Sequence, residues 1–243
     1  MIAKEEDEYM RNRIFGALAS ILIAGAVIFS GTAQAATAPG RRGLDVSSYQ
    51  HPGGVIINWR RVARNGYSFV FIKATEGTYY VNPYYAQDLR GAEGNGLIVG
   101  AYAFAVPSRS PGWAQADFLI RHMGRTTLAP VLDIEWNPYA GNECYNMRPW
   151  RMVAWITSFE GAIRRHLHEY ATINTPSSWW NRCTRRSHQF ANVPLWDENN
   201  RYSTPSRPVL PAGWHTWSYW QKSITGRIPG IHAQVDIDVR RMS

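Results

Sequence analysis

The stretch APVLDIEWNP, residues 129 to 138, sets Asp133 and Glu135 two positions apart at the end of an apolar run. In an extended strand, residues i and i+2 share a face with Cα atoms about 6 to 7 Å apart. Both carboxylates therefore project together, and Ile134 enters the opposite layer. Crowding and partial burial hold one such acid protonated while its neighbours stay ionised. Glycoside hydrolysis needs that division of roles, with one group protonating the leaving oxygen and another stabilising charge at the sugar.

Two further carboxylates stand in comparable places, Asp45 in GLDVS and Asp236 in QVDID. If the first and last strands of a closed barrel are neighbours, these two lie close together, and four acids ring one pocket. Tyr49, Tyr102, Phe104, Trp136, Trp196 and Trp220 all fall at strand ends, where aromatic rings could line a sugar site. Taken singly each feature has a plainer explanation, since strand-end acids often cap a following helix and aromatic residues fill cores. Taken as a set, they point to a carbohydrate site.

The elements that must position these residues alternate. Strand-like runs occupy 43–48, 69–74, 97–105, 129–135, 170–174, 193–196, 215–221 and 233–239. Helical spacing occupies 57–66, 82–96, 111–124 and 148–168. In the last of these, Met152, Ile156, Phe159, Ile163 and Leu167 recur every three or four residues. Asn82 and Pro83 stand as cap and first helical residue. Continuously apolar strands alternating with helices indicate parallel strands covered by helices. Eight strands in about 200 residues predict an α/β fold, a single irregular β/α barrel (TIM-barrel-like) with helices reduced in its second half. A doubly wound open sheet is the alternative, but no GxGxxG or Walker-type loop supports nucleotide binding, and no cofactor is expected.

The 243 residues carry 26 basic and 18 acidic side chains. Residues 14–30 form an uncharged apolar run followed by Ala33-Gln34-Ala35, so residues 1–35 are expected to be a signal peptide cleaved after Ala35. The alternative is a retained anchor, since 17 residues approach a spanning length. Residues 1–9 are acidic, whereas initiation at Met10 would give the basic start that export signals have. A short tail, 36–42, then precedes a catalytic domain over 43–243. Residues 36–243 hold 23 basic and 14 acidic side chains, a net +9 that favours an anionic partner such as bacterial cell wall. The arginines are scattered and form no nucleic-acid module, so no nucleic acid is expected as a partner. Cys144 and Cys183 are an even pair in an exported chain, with one disulfide as the default and two buried thiols as the alternative. No HExxH, CxxC or GxSxG occurs, and His166 and His168 cannot share a helix face, so no metal is expected.

Read in order, GLDVSSYQ, FVFIKATEG, GAYAF, PVLDIEWNPY, NECY, SSWW, PLW, WQ and VDIDV resemble the secreted N-acetylmuramidases of glycoside hydrolase family twenty-five across residues 43–239. The resemblance implies hydrolysis of the β-1,4 bond between N-acetylmuramic acid and N-acetylglucosamine in peptidoglycan. It implies Glu135 as general acid, Asp133 as the group orienting the substrate's acetamido arm, and Asp45 and Asp236 completing the ring. Gln50, Lys73, Glu76, Asn174 and Gln221 stand in or beside these motifs and are expected at the substrate with the aromatic residues. It also implies pairing of Cys144 with Cys183, and a monomer secreted or held at the cell wall, without stable membrane association once the signal is removed. Substrate-assisted retention, with the 2-acetamido group as internal nucleophile, is the mechanism we favour over inversion.

Departures are specific. Asn174 stands where tyrosine is common, Ala103 where histidine is common, and Arg240 where phenylalanine is usual. Asp197 and Glu198 stand where small or apolar residues usually follow Trp196. Two other functions compete: a glycan-binding module on a weakened catalytic scaffold, and a chitinase-like hydrolase. The retained carboxylates oppose the first, and the lack of an upstream aspartate in TTLAPVLDIE opposes the second.

Overall fold

The computed structural model describes residues 41–198 and 207–242; the expected signal segment lies outside the described residues. Among the described residues nine strands run in chain order: β1 Arg41–Val46, β2 Tyr67–Glu76, β3 Tyr80–Val81, β4 Ile98–Phe104, β5 Val131–Asp133, β6 Thr172–Thr175, β7 Leu195–Glu198, β8 Tyr219–Gly226 and β9 Val235–Arg240. Pairing of β1 with both β2 and β9 closes eight of them into a barrel, and β3 hangs on β2 as an antiparallel appendage. The open doubly wound sheet is therefore excluded. β1 starts at Arg41, two residues ahead of the expected domain start.

One expectation is corrected by the pairing. β1, β2 and β4 to β8 are parallel, but β9 runs antiparallel to both β8 and β1. The connection from β8 to β9 is only eight residues, 227–234, too short for the helical crossover that a parallel partner requires. Asp236 thus sits near the start of its strand rather than at its carboxyl end.

Among the described residues five α-helices pack outside: α1 Trp59–Arg64, α2 Tyr85–Glu93, α3 Gly112–Met123, α4 Pro149–Leu167 and α5 Ser177–Cys183. In α4, Pro149 takes the first turn, where no amide donor is needed, and His168 closes the helix in a left-handed conformation. Its Met152, Ile156, Phe159 and Ile163 are buried as the period predicts, while Leu167 is only partly buried. α5 is a helix that the sequence reading did not anticipate; seven residues containing two adjacent tryptophans show no readable period. Among the described residues it is the only helix after α4, in line with the expected loss of helices from the second half.

Side chains alternate across the wall of the barrel. Leu44, Val70, Ile72, Val99, Ala101, Leu132, Ile134, Ile173 and Leu195 face the helices in one continuous core. Phe69, Phe71, Tyr102, Val131, Trp196 and Tyr219 form a separate inner cluster. Phe71 stacks on Trp196 at 4.6 Å between ring centres and meets Tyr219 edge-on at 4.9 Å. Each buried ring contributes about 1.5 to 3 kcal/mol, and together they floor the barrel. Glycine makes room for them: a Cβ on Gly43 or Gly100 would stand 2.3 Å from the ring of Phe69 or Phe71.

The disulfide joins Cys144, in the loop after β5, to Cys183 at the end of α5, with Cα atoms 5.4 Å apart. Nearby, Trp179 Nε1 donates to the carbonyl of Glu143, and the Glu143 carboxylate pairs with Arg182.

Candidate active site

The same alternation that buries rings at the barrel's centre brings polar groups to its carboxyl end. On β2, Phe69, Phe71 and Lys73 follow one another up the inner face; on β4 the sequence is Gly100, Tyr102, Phe104; on β5 it is Val131, Asp133. The chain leaves β5 after Asp133, yet the extended path continues, since Ile134 N donates to the Asn174 carbonyl at 3.0 Å. Glu135 therefore reaches the same side as Asp133.

An open cavity of about 810 Å³, counting the space at its mouth, occupies this end. Thirteen of the fifteen expected site residues line it: Asp45, Tyr49, Gln50, Lys73, Glu76, Tyr102, Phe104, Asp133, Glu135, Asn174, Trp196, Gln221 and Asp236. Trp136 and Trp220 do not. Trp136 packs against the outer core. Trp220 meets Trp217 edge-on, and its buried indole N–H has no hydrogen-bond partner.

Asp133 and Glu135 are only 8% and 5% exposed. Burial first, then the neighbouring Glu135 and Glu198, push the Asp133 carboxyl well above the ordinary carboxylate range; Lys73 opposes this and Asp45 adds to it. Oδ1 of Asp133 is buried without a hydrogen-bond partner. Across the cavity Asp45 and Asp236 are direct partners in the β1–β9 ladder. Both accept hydrogen bonds from Gln221 Nε2, at 3.1 and 3.0 Å. A third group is built on Glu76, which accepts from Lys73 Nζ at 2.6 Å, from Tyr79 at 2.9 Å and from Tyr139. Burial and the Glu76 charge hold the Tyr79 phenol protonated far above its usual range. The 3-10 turn Ser48–Gln50 is fixed by a capping box from Ser47 and by Gln50 Nε2 donating to the Gln234 carbonyl at 2.8 Å.

Four cavity residues were absent from the expected set: Ser47, Pro138, Tyr139 and Glu198. Glu198 stands two residues beyond Trp196 on β7 and so shares its face. Asp238, two beyond Asp236, likewise points into the barrel but lies deeper and is fully buried. Trp196 Nε1 donates to it at 3.0 Å, and burial, with Asp45 and Asp236 beside it, raises its proton affinity strongly. The departures divide by position. Asn174 and Glu198 face the cavity, whereas Ala103 is in the outer core, and neither Asp197 nor Arg240 lines the cavity. Oxygen atoms of Asp133, Glu135 and Glu198 lie within 4.8 Å of one another. No histidine or cysteine joins them among the described residues, and we assign no metal ligand here.

Comparison with known proteins then becomes decisive, because residues 44–231 match the family described as Glycosyl hydrolases family 25. The chain belongs to that family. It is therefore a glycoside hydrolase by descent. It is 39% identical over 203 residues to Lysozyme M1 of Streptomyces globisporus, covering 81% of this chain and 66% of that protein. It is 37% identical to the N,O-diacetylmuramidase of a Chalaropsis species, covering 75% of this chain and 87% of that protein. The crystal structure of the bacterial lysozyme from Streptomyces coelicolor superimposes with a TM-score of 0.79 at 38% identity, covering 85% of this chain and 94% of that one.

Proposed function

We propose that this family 25 hydrolase is an exported muramidase that cuts the β-1,4 bond between N-acetylmuramic acid and N-acetylglucosamine in peptidoglycan. The observation that carries the reading is the buried Asp133–Glu135 pair lining one cavity, with an oxygen of Asp133 left unpartnered. In the empty cavity the pair retains a proton, and burial with neighbouring charge favours its place on Asp133. When the substrate's acetamido N–H donates to Asp133, that bond favours the carboxylate form there and leaves the proton to Glu135. Glu135 then protonates the glycosidic oxygen as the acetamido oxygen attacks the anomeric carbon from the opposite face. The bond to the leaving sugar breaks and leaves an oxazolinium ion whose N–H stays on the Asp133 carboxylate; Glu135, now the base, takes a proton from water as its oxygen reopens the ring at the anomeric carbon. Asp45 and Asp236, tied together by Gln221, supply negative potential facing the developing positive charge.

Export is supported by the 14–30 apolar run and by a disulfide of the kind that persists in oxidising compartments. No helix among the described residues is long and apolar enough to cross a membrane. The partner is bacterial peptidoglycan, and the working unit is a monomer. Digestion of purified peptidoglycan by protein starting at Ala36, beside Glu135→Gln, tests the reading. New muramic-acid reducing ends, seen by mass spectrometry with the wild type alone, are the expected result. Wall binding by both proteins with cleavage by neither would refute it and favour a glycan-binding scaffold.

A further inference from the structure

Glu198 closes β7 on the inner face of the barrel and is 4% exposed. Its carboxylate shares a 4.8 Å span with those of Asp133 and Glu135. Carboxylates this close, away from water, cannot all ionise at ordinary cost, so the group keeps a proton unless a cation neutralises it. Among the described residues, the elements that line the cavity supply little positive charge. From β2 come Lys73 and Glu76, already joined to each other at 2.6 Å. From β1 and β9 come Asp45 and Asp236, both acidic; from β6 and β8 come Asn174 and Gln221, both neutral. Tyr49, Tyr102 and Tyr139 complete the titratable lining. Lys73 is thus the one cationic side chain among the described residues lining the cavity.

We propose that Glu198 is a positioning residue for proton supply: its carboxylate keeps a proton on the Asp133–Glu135 pair at pH values where the two acids alone would lose it. The direction found for Asp133 agrees, since Glu198 is one of the charges that hold its proton. The proton kept there is the one Glu135 delivers to the leaving oxygen and recovers from water in the second step. In this role Glu198 acts through the pair and not on either oxygen. Its effect is to extend the alkaline limb of the activity profile, a consequence that rests on the muramidase reading; its effect on titration does not.

Two readouts on the full chain test this with Glu198→Gln and Glu198→Ala, each checked for native folding by near-UV circular dichroism. Side-chain carboxyl 13C NMR, with EDTA present, follows the titration of Asp133 and Glu135. The pH dependence of kcat/KM on purified peptidoglycan follows the consequence. In both variants the last proton of the pair should leave at least about one pH unit lower. The alkaline limb should move by the same amount, which is about a tenfold loss of kcat/KM at a fixed pH on that limb. A titration midpoint within about 0.3 unit of wild type would overturn the proposal. So would a profile lowered at every pH without displacement, because that marks a merely structural part. A shifted midpoint in protein that cleaves no peptidoglycan would sink the muramidase reading while leaving the proton-holding role of Glu198 standing.

Discussion

Glu160 offers the sharpest stability test, because it is a buried acid that no catalytic step uses. It lies on the core face of α4 among Ile156, Phe159 and Ile163. One oxygen accepts from the Ala171 amide at 3.1 Å, and the other is buried without a partner. Burial is the main cause that raises its pKa from 4.5 to about 8; the Ala171 amide and Arg164 only partly counter it. A group whose folded pKa exceeds its unfolded value contributes stability fully present below the unfolded pKa and lost as pH rises through the folded one. Between about pH 4.5 and 8 the wild type should therefore lose roughly 1.4 kcal/mol per pH unit from this site. The accumulated loss is about 5 kcal/mol, a large part of the 5 to 15 kcal/mol typical of a domain. Glu160→Gln reproduces the neutral acid, with an oxygen for the Ala171 amide and one unmatched polar atom, as in the protonated wild type. Urea unfolding at pH 5, 7 and 9 should show the two proteins nearly equal at pH 5. By pH 9 the variant should be several kcal/mol more stable, or about 10 °C higher in Tm. Asp133 and Asp238 also titrate, but they are common to both proteins and cancel in the difference. Parallel stability curves from pH 5 to 9 would refute the reasoning.

Reducing the Cys144–Cys183 bond, which spans 39 residues, should cost about 4 kcal/mol on a chain-entropy basis; thermal unfolding with and without reductant measures it. His51 contacts the Val55 carbonyl at 2.9 Å and Asp88 at 2.8 Å, both ring nitrogens being engaged, and it stacks on Tyr84 at 3.9 Å. His51→Ala would leave Asp88 buried with only the Trp59 N–H at 3.2 Å, a loss of about 3 to 5 kcal/mol by urea unfolding. The net +9 of residues 36–243 should make association with anionic wall fall as salt rises; sedimentation with purified wall from 20 to 300 mM NaCl (roughly a fourfold drop in Debye length) reads this, and unchanged binding would count against it.

How far the site was legible turns on strand parity. The period-2 rule placed Asp133 and Glu135 on one side, and the same rule applied once more would have found two missed acids. If Trp196 faces the cavity, then Glu198 does too; if Asp236 does, then Asp238 lies beneath it. It would also have separated Trp220 from Gln221 and Trp136 from Glu135, since neighbours in an extended chain take opposite faces. Aromatic type and a place at a strand end selected Trp220 and Trp136, and aromatic residues at such places serve cores as readily as sugar sites. Tyr139 carried no such signal. It reaches Glu76 from a loop 63 residues away, a contact that only the folded barrel creates.

The reversal of β9 was the least legible feature, and it bears directly on the chemistry. A parallel last strand would present its final residues at the cavity, placing Val239 and Arg240 there and Asp236 toward the opposite end. The short connection 227–234 instead turns the chain back at the cavity end, so the strand delivers its first residues to Asp45 of β1. Asp236 then meets Asp45 in register, and Gln221, on the preceding strand, bridges both. The same reversal sends Arg240 to the far end, where it lies over Tyr219 rather than among the carboxylates. A guanidinium at the cavity would have neutralised the ring of acids and drawn the proton from Asp133. The direction of a single strand thus keeps the Arg240 guanidinium away from the carboxylates, and among the described residues lining the cavity Lys73 is the one cation beside a carboxyl pair that has a proton to give.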